Sequence, residues 1–190
     1  MDATTRTFIA INFNPKIQNS IKYIQDHLKK TDCDINWVKP ENIHMTIKFL
    51  GPVRLTQIDA IKQALANLFK NTKPFNIELE QLGAFPNMVH PRALWVGLKD
   101  TKQKLNRMAT SLEKALQKMG FEKDQRTFNP HITIGRVRSS KNISDLSRSM
   151  PDCHASGNLT QTISGITLFK STLNQDGPTY EPLYQVKFMN

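Results

Sequence analysis

The stretch His44-Met45-Thr46-Ile47-Lys48-Phe49-Leu50 has a near copy at His131-Ile132-Thr133-Ile134. Both are apolar and rich in β-branched residues, so each reads as a strand. Side chains alternate along a strand, which puts His44 and Thr46 on one face. Met45, Ile47 and Phe49 take the other face, which is apolar and expected to pack on helices. In the copy, His131 and Thr133 point one way and Ile132 and Ile134 the other. Each strand therefore offers an imidazole and a hydroxyl about 7 Å apart. One histidine on a strand is most often a hydrogen-bonded structural residue. Two equivalent strands change that weighting if they occupy matching places in the chain.

They do. Arg6 to Phe13 reads as a strand that stops at Asn14-Pro15, a cap and first-turn proline for a helix. Ile17, Ile21, Ile24 and Leu28 give that helix its apolar face. A turn-like stretch, Thr31 to Asp34, precedes a strand region that starts at Trp37, resumes from Ile43 to Leu50 and is expected to end at Gly51-Pro52. Thr56 with Asp59 resembles a capping pair for a helix carrying Ile58, Ile61, Leu65 and Leu68. Pro74 to Phe85 and Ala93 to Leu98 read as strands around a loop flanked by Pro86 and Pro91. Asp100 or Thr101 can cap a third helix with Leu105, Met108, Leu112, Leu116 and Met119, which Gly120 ends. His131 to Val137 is a strand. Residues 139–158 are polar loop with one helical turn near Leu146. Thr160 to Ser171 and Tyr180 to Phe188 read as a closing hairpin around Asn174 to Gly177. Strand, helix and His-x-Thr strand thus occur at 6–50 and again at 93–137. The repeat predicts an α+β chain with two related lobes, antiparallel sheet within and helices outside, and a groove between them.

The 190 residues suit a single domain. The net charge of +10 favours a polyanionic partner. It is concentrated at residues 99–148, which hold 12 Lys/Arg against 5 Asp/Glu and include His131. No apolar run is long enough for a membrane span, and Met1 to Arg6 lacks a secretory core. A cytoplasmic monomer is expected. Cys33 and Cys153 are too few for a disulfide framework. His27, His90 and His154 stand at no spacing that would complete a catalytic zinc site, so neither metal nor other cofactor is expected.

Two imidazoles across a groove suit phosphoester cleavage. One neutral ring takes a proton from water while one imidazolium gives a proton to the leaving oxygen. Threonine hydroxyls can bind the non-bridging phosphate oxygens. The bare pattern leaves open which histidine does which.

The chain resembles the 2H phosphoesterase superfamily, and within it the RNA 2′,3′-cyclic phosphodiesterases once called 2′-5′ RNA ligases. The likeness rests on Arg6 to Ile11, Trp37 to Gly51, Gly83 to Pro86, Pro91 to Gly97 and Phe128 to Arg136. The resemblance implies metal-independent opening of a terminal RNA 2′,3′-cyclic phosphate to a 2′-phosphomonoester. It assigns His44 as proton donor, His131 as proton acceptor, and Thr46 and Thr133 as phosphate-binding hydroxyls. Arg136 matches an arginine that could contact substrate. Strict alternation puts it on the Ile132 face, as a surface arginine, unless Gly135 marks a bulge that turns it back. Two alternatives remain: a 2′-5′ oligonucleotide phosphodiesterase or ligase of the same superfamily, and a non-catalytic RNA-binding module stacking bases on exposed aromatics such as Trp37 or Phe8.

Overall fold

Strand β1 spans Thr4–Asn12 in the computed structural model, which describes residues 3–100, 102–151, 153, 159–175 and 177–189. Asn14 then accepts the Ile17 N–H at 2.9 Å and starts helix α1 (Pro15–Leu28). Strand β2 (Ile35–Trp37), a 3-10 turn at Pro40–Asn42 and strand β3 (His44–Arg54) follow. Next come helix α2 (Ile58–Phe69), strands β4 (Phe75–Phe85) and β5 (Ala93–Lys99), helix α3 (Lys104–Lys118) and strand β6 (His131–Val137). Helix α4 (Ile143–Ser149) and strands β7 (Thr160–Ile163), β8 (Gly165–Asn174) and β9 (Gly177–Lys187) close the chain.

The strands form two antiparallel sheets, ordered β3-β1-β8-β9 and β2-β6-β5-β4-β7. Each His-x-Thr strand pairs with the opening strand of its own half. Asn12 stands opposite His44 in one pair, and Gly97 opposite His131 in the other. β3 also lies beside β6, where the sheets meet. One face of each sheet enters a common core, through Ile9, Ile11, Met45 and Leu168 on one side and Leu94, Val96, Ile132 and Ile134 on the other. The helices cross over: α1 packs on β6 and α3 on β3. The α+β, two-sheet reading of the repeat holds.

Three local expectations need correction. Gly51-Pro52 does not end the motif strand, which continues to Arg54. Gly51 takes φ of +70°, and Pro52 is tolerated because β3 is an edge strand, where a missing N–H costs no ladder bond. Gln57, not the Thr56/Asp59 pair, bonds the start of the 3-10 turn before α2, taking the Arg54 N–H on its side-chain oxygen. Thr160 to Ser171 is not one hairpin arm. It breaks at Ser164, so β7 joins β4 in the second sheet while β8 joins β1 and β9 in the first. The cap expected for the third helix, which begins at Lys104, is borne out. Asp100 reaches forward and accepts the N–H groups of Lys102, Lys104 and Leu105; Thr101 lies outside the described residues.

Two buried polar ties join the halves. Lys48 of β3 donates to both Glu113 carboxylate oxygens of α3, at 2.9 and 3.0 Å, and to the Glu122 carbonyl at 2.9 Å. Its side chain is only 7% exposed. Glu113 also takes the Asp124 N–H, which anchors the loop leading to β6. In the opposite direction, Gln25 of α1 donates to Ile134 of β6 and to Val38. Removing one member of a buried pair strands the other. Lys48→Met should therefore lower unfolding free energy by about 3 kcal/mol. Glu113→Gln on top should recover part of the loss, because the amide keeps an acceptor without a stranded charge. Urea denaturation of the single and double variants tests this, and equal instability of both would contradict it.

Candidate active site

Both imidazoles are held the same way. His44 Nδ1 lies 2.6 Å from the carbonyl of Asn42, and His131 Nδ1 lies 2.7 Å from that of Asn129. A carbonyl only accepts, so Nδ1 carries the proton in each ring. That leaves Nε2 for chemistry. His44 Nε2 sits 3.0 Å from the Thr46 hydroxyl. The common pattern is Asn-x-His-x-Thr-Ile, at Asn42 to Ile47 and Asn129 to Ile134. The asparagines were visible in both motifs, but their carbonyl role was not.

Aromatic rings fix the far side of each imidazole. Phe8 lies under His44 at 4.9 Å, and Tyr180 meets it edge-on at 5.2 Å. Phe8, Ala10 and Phe169 form a small apolar cluster on this face, apart from the main core. Phe8 is therefore buried, at 3% exposure, and is no exposed platform for a base. Trp37 likewise packs against the core. His131 meets Phe85 edge-on at 4.9 Å and Trp95 at 6.3 Å. Gly83 makes room for that indole: a Cβ there would fall 2.1 Å from the Trp95 ring. A cleft of about 300 Å³ opens against His131 between Phe85, Trp95, Gln81 and Glu80.

Matched bulges set the rest of the site face. Opposite β1, Lys48 pairs with Ile9 and Thr46 with Ala10, so Ile47 is the extra residue. Opposite β5, Gly135 pairs with Leu94 and Thr133 with Trp95, so Ile134 is the extra residue. An extra residue flips the side chains beyond it. Lys48 accordingly turns inward and Phe49 outward, with 64% of Phe49 exposed. Phe49 shares the His44 face, 6.1 Å from Phe8, which overturns its assignment to the packed side. Arg136 is turned by the equivalent bulge onto the face of His131 and Thr133. The bulge that one of its two readings required is present, with Ile134 as the extra residue. The residue after the bulge is glycine in β6 because β2 covers it, and a Cβ would come within 2.7 Å of Ile35. β3 has no such cover, so a lysine fits.

The electrostatics are one-sided. Burial pushes the His44 pKa below 6.5, opposed by its bond to Asn42. Burial also lowers that of His131, opposed by Asn129 and reinforced by the positive charge of Arg126. Burial raises the Tyr180 phenol, and the charge of Arg136 pulls it back. That influence runs from a residue of the second sheet to one of the first. Among the described residues, no three of His, Cys, Asp and Glu gather where they could hold a metal; His154 lies outside them. Among the described residues, no helix is long and apolar enough to cross a membrane.

Paired His-x-Thr strands in a two-sheet α+β fold define the class, and residues 13–171 match the 2′-5′ RNA ligase superfamily, to which the chain belongs. Among its relatives, the RNA 2′,3′-cyclic phosphodiesterase of Methanothermobacter thermautotrophicus is 30% identical over 175 residues, covering 92% of this chain and 94% of its own. The protein of the same name from Aeropyrum pernix is 34% identical, covering 86% of this chain and 92% of its own. The crystal structure of Escherichia coli LigT complexed with 3′-AMP shares the fold, with a TM-score of 0.80 at 21% identity over 98% of this chain and 99% of that one. A crystal structure from Thermus thermophilus aligns with a TM-score of 0.82 at 20% identity, over 96% and 97% of the two chains.

The depressed histidines make a pH prediction. The unfolded chain binds protons with pKa near 6.5, the folded one only at lower pH. Stability from these groups is therefore complete above about 6.5 and is lost as pH falls toward the folded-state values. Imidazole NMR titration should place both rings below 6.5. Urea midpoints should fall on acidification through this window, and less steeply in a His44→Asn/His131→Asn variant. Either ring titrating above 6.5 in the free protein would contradict it.

Proposed function

We propose that this chain hydrolyses RNA 2′,3′-cyclic phosphodiester ends to 2′-phosphomonoesters, without a metal, using His44 as proton donor and His131 as proton acceptor. The observation that carries the reading is the matched pair of imidazoles, each tied through Nδ1 to an asparagine carbonyl and so left with Nε2 for chemistry, which in His44 lies beside the Thr46 hydroxyl. The names of the archaeal relatives supply the substrate class, and the site's imidazole, hydroxyl and guanidinium groups suit it.

In the proposed step, His131 Nε2 takes a proton from water as its oxygen attacks phosphorus. The P–O3′ bond breaks, and the departing O3′ receives the proton on His44 Nε2. The product carries a 2′-phosphomonoester and a free 3′-hydroxyl. Thr46, Thr133 and Arg136 bind the non-bridging oxygens, where charge grows. Burial is the largest cause in both rings and favours the neutral form of each, and Arg126 adds a smaller push in the same direction at His131. Phe49, the exposed aromatic on the same face, offers a stacking surface for a base.

The test is a product assay on an RNA ending in a 2′,3′-cyclic phosphate, with and without EDTA. A 2′-phosphate product that survives EDTA is expected. A 3′-phosphate product, or full loss in EDTA, would overturn the proposal. His44→Ala and His131→Ala should each cost on the order of 10²-fold or more. A better leaving group at O3′ should partly rescue His44→Ala and rescue His131→Ala less; equal rescue would reverse or remove the roles. The pH profile of kcat/KM should be bell-shaped with its maximum on the acidic side of 6.5, since both free-enzyme pKa values are lowered.

Phe49 makes a separate prediction. Phe49→Ala should raise KM for a cyclic nucleotide roughly tenfold, the scale of a lost base stack, with kcat changed less than about threefold. An unchanged KM would mean that the exposed ring contacts no base.

A further inference from the structure

We infer that Gln25 is a positioning residue for Arg136: its side-chain amide fixes the bulge in β6 that turns Arg136 onto the site face. The kinetic part of the inference rests on the proposed role of Arg136 in binding substrate.

Gln25 breaks the chemistry of its own helix. It is 2% exposed and lies among Ile21, Ile24 and Leu28 on the buried stripe of α1. Burying a primary amide is costly unless its groups are bonded. Gln25 Nε2 donates to Ile134 O and to Val38 O, both at 2.8 Å. Ile134 is the extra residue of the bulge, and its carbonyl also takes the Val38 N–H at 3.0 Å. A bulge interrupts the ladder and leaves backbone groups in need of partners. Here the Ile134 carbonyl has two partners: Val38, which continues the β2 register by one residue, and the Gln25 side chain from helix α1. The amide thereby joins α1, the end of β2 and the bulge.

The consequence lies two residues on. Every side chain beyond a bulge owes its face to the extra residue. If β6 relaxed toward regular alternation, Arg136 would be driven toward the core or the strand end would pull away. Either change removes the guanidinium from the face of His131 and Thr133. His131 and Thr133 precede the bulge, so their placement does not depend on it.

The test uses Gln25→Leu, which keeps the volume but not the donors, with Gln25→Met as a second variant read in the same way. KM for a 2′,3′-cyclic nucleotide should rise about tenfold, with kcat within about twofold and the pH profile unchanged. In an Arg136→Ala background the substitution should add nothing. By NMR, the Gly135 amide and the Arg136 Nε–H should both shift. In the unaltered protein, the Gln25 side-chain amide protons should exchange slowly, a readout that needs no variant to fold. Unmoved Gly135 and Arg136 signals, fast exchange of the Gln25 amide, or an equal KM rise in the Arg136→Ala background would each overturn the inference. If the signals shift and Arg136→Ala leaves KM unchanged, the positioning role stands and the reading of Arg136 as a substrate contact falls.

Discussion

A surplus residue just past each threonine, Ile47 in one histidine strand and Ile134 in the other, decides what the site face contains. A regular strand from His44 would put Lys48 beside the two catalytic candidates and bury Phe49. A regular strand from His131 would put Gly135 there and turn Arg136 toward the core. With Ile47 and Ile134 as extra residues, the order is inverted in both strands at once. The site face gains an aromatic ring on one side and a guanidinium on the other. The histidine and threonine, which precede the bulges, keep the positions that alternation gives them.

A bulge must be held, because it surrenders ladder bonds. In both strands the hold crosses between the halves of the repeat. Glu113 of the second half receives Lys48 of the first, and Gln25 of the first half reaches Ile134 of the second. Buried polar groups contribute little net stability when well paired and cost much when stranded. Their consequence here is geometric: β3 and β6 cannot shift independently without leaving an amide or a charge unsatisfied in the core. The common apolar core beneath both sheets gives cohesion, and these few polar bonds give register.

The periodic part of this arrangement was legible in the sequence. Apolar stripes marked the helices, and the repeat of strand, helix and His-x-Thr strand marked the two sheets. Alternation placed His44, Thr46, His131 and Thr133 correctly because it acts over two residues and nothing intervenes. It failed at Phe49 because a bulge depends on what lies across the sheet. Gly135 signalled the second bulge, since a glycine in an apolar strand often marks close approach or an extra residue. Lys48 hid the first one. Phe8 looked like any strand aromatic, and only the curvature of its sheet, which gathers Phe169 and Tyr180 over it, shows that it is buried. Gln25 left a trace, a polar residue on an apolar stripe, whose meaning required knowing that β6 lay opposite. The break at Ser164 could not be read locally, because both arms are good strands and the choice of sheet is made by distant partners.

Duplicated motifs raise a problem that the surroundings resolve. Identical histidines could still titrate in two steps as a pair, but nothing would fix which one gives the proton. Each ring here has the same carbonyl on Nδ1 and similar aromatic walls, so the backbone alone leaves them equivalent. The differences come from residues that the two halves do not share. Arg126, in the loop that Glu113 anchors through Asp124, acts on His131 and favours its neutral form. Tyr180, from the β9 strand that has no counterpart at His131, closes over His44, whose Nε2 also has the Thr46 hydroxyl within hydrogen-bond distance. Asn42 binds the Pro178 carbonyl and so ties that hairpin to the first motif. A symmetric frame thus orients two imidazoles alike, and asymmetric neighbours at its margins set them apart. On this account the loop from Glu122 to Asn129 and the β8–β9 hairpin are the segments through which related chains can shift the working pH while both motifs stay intact.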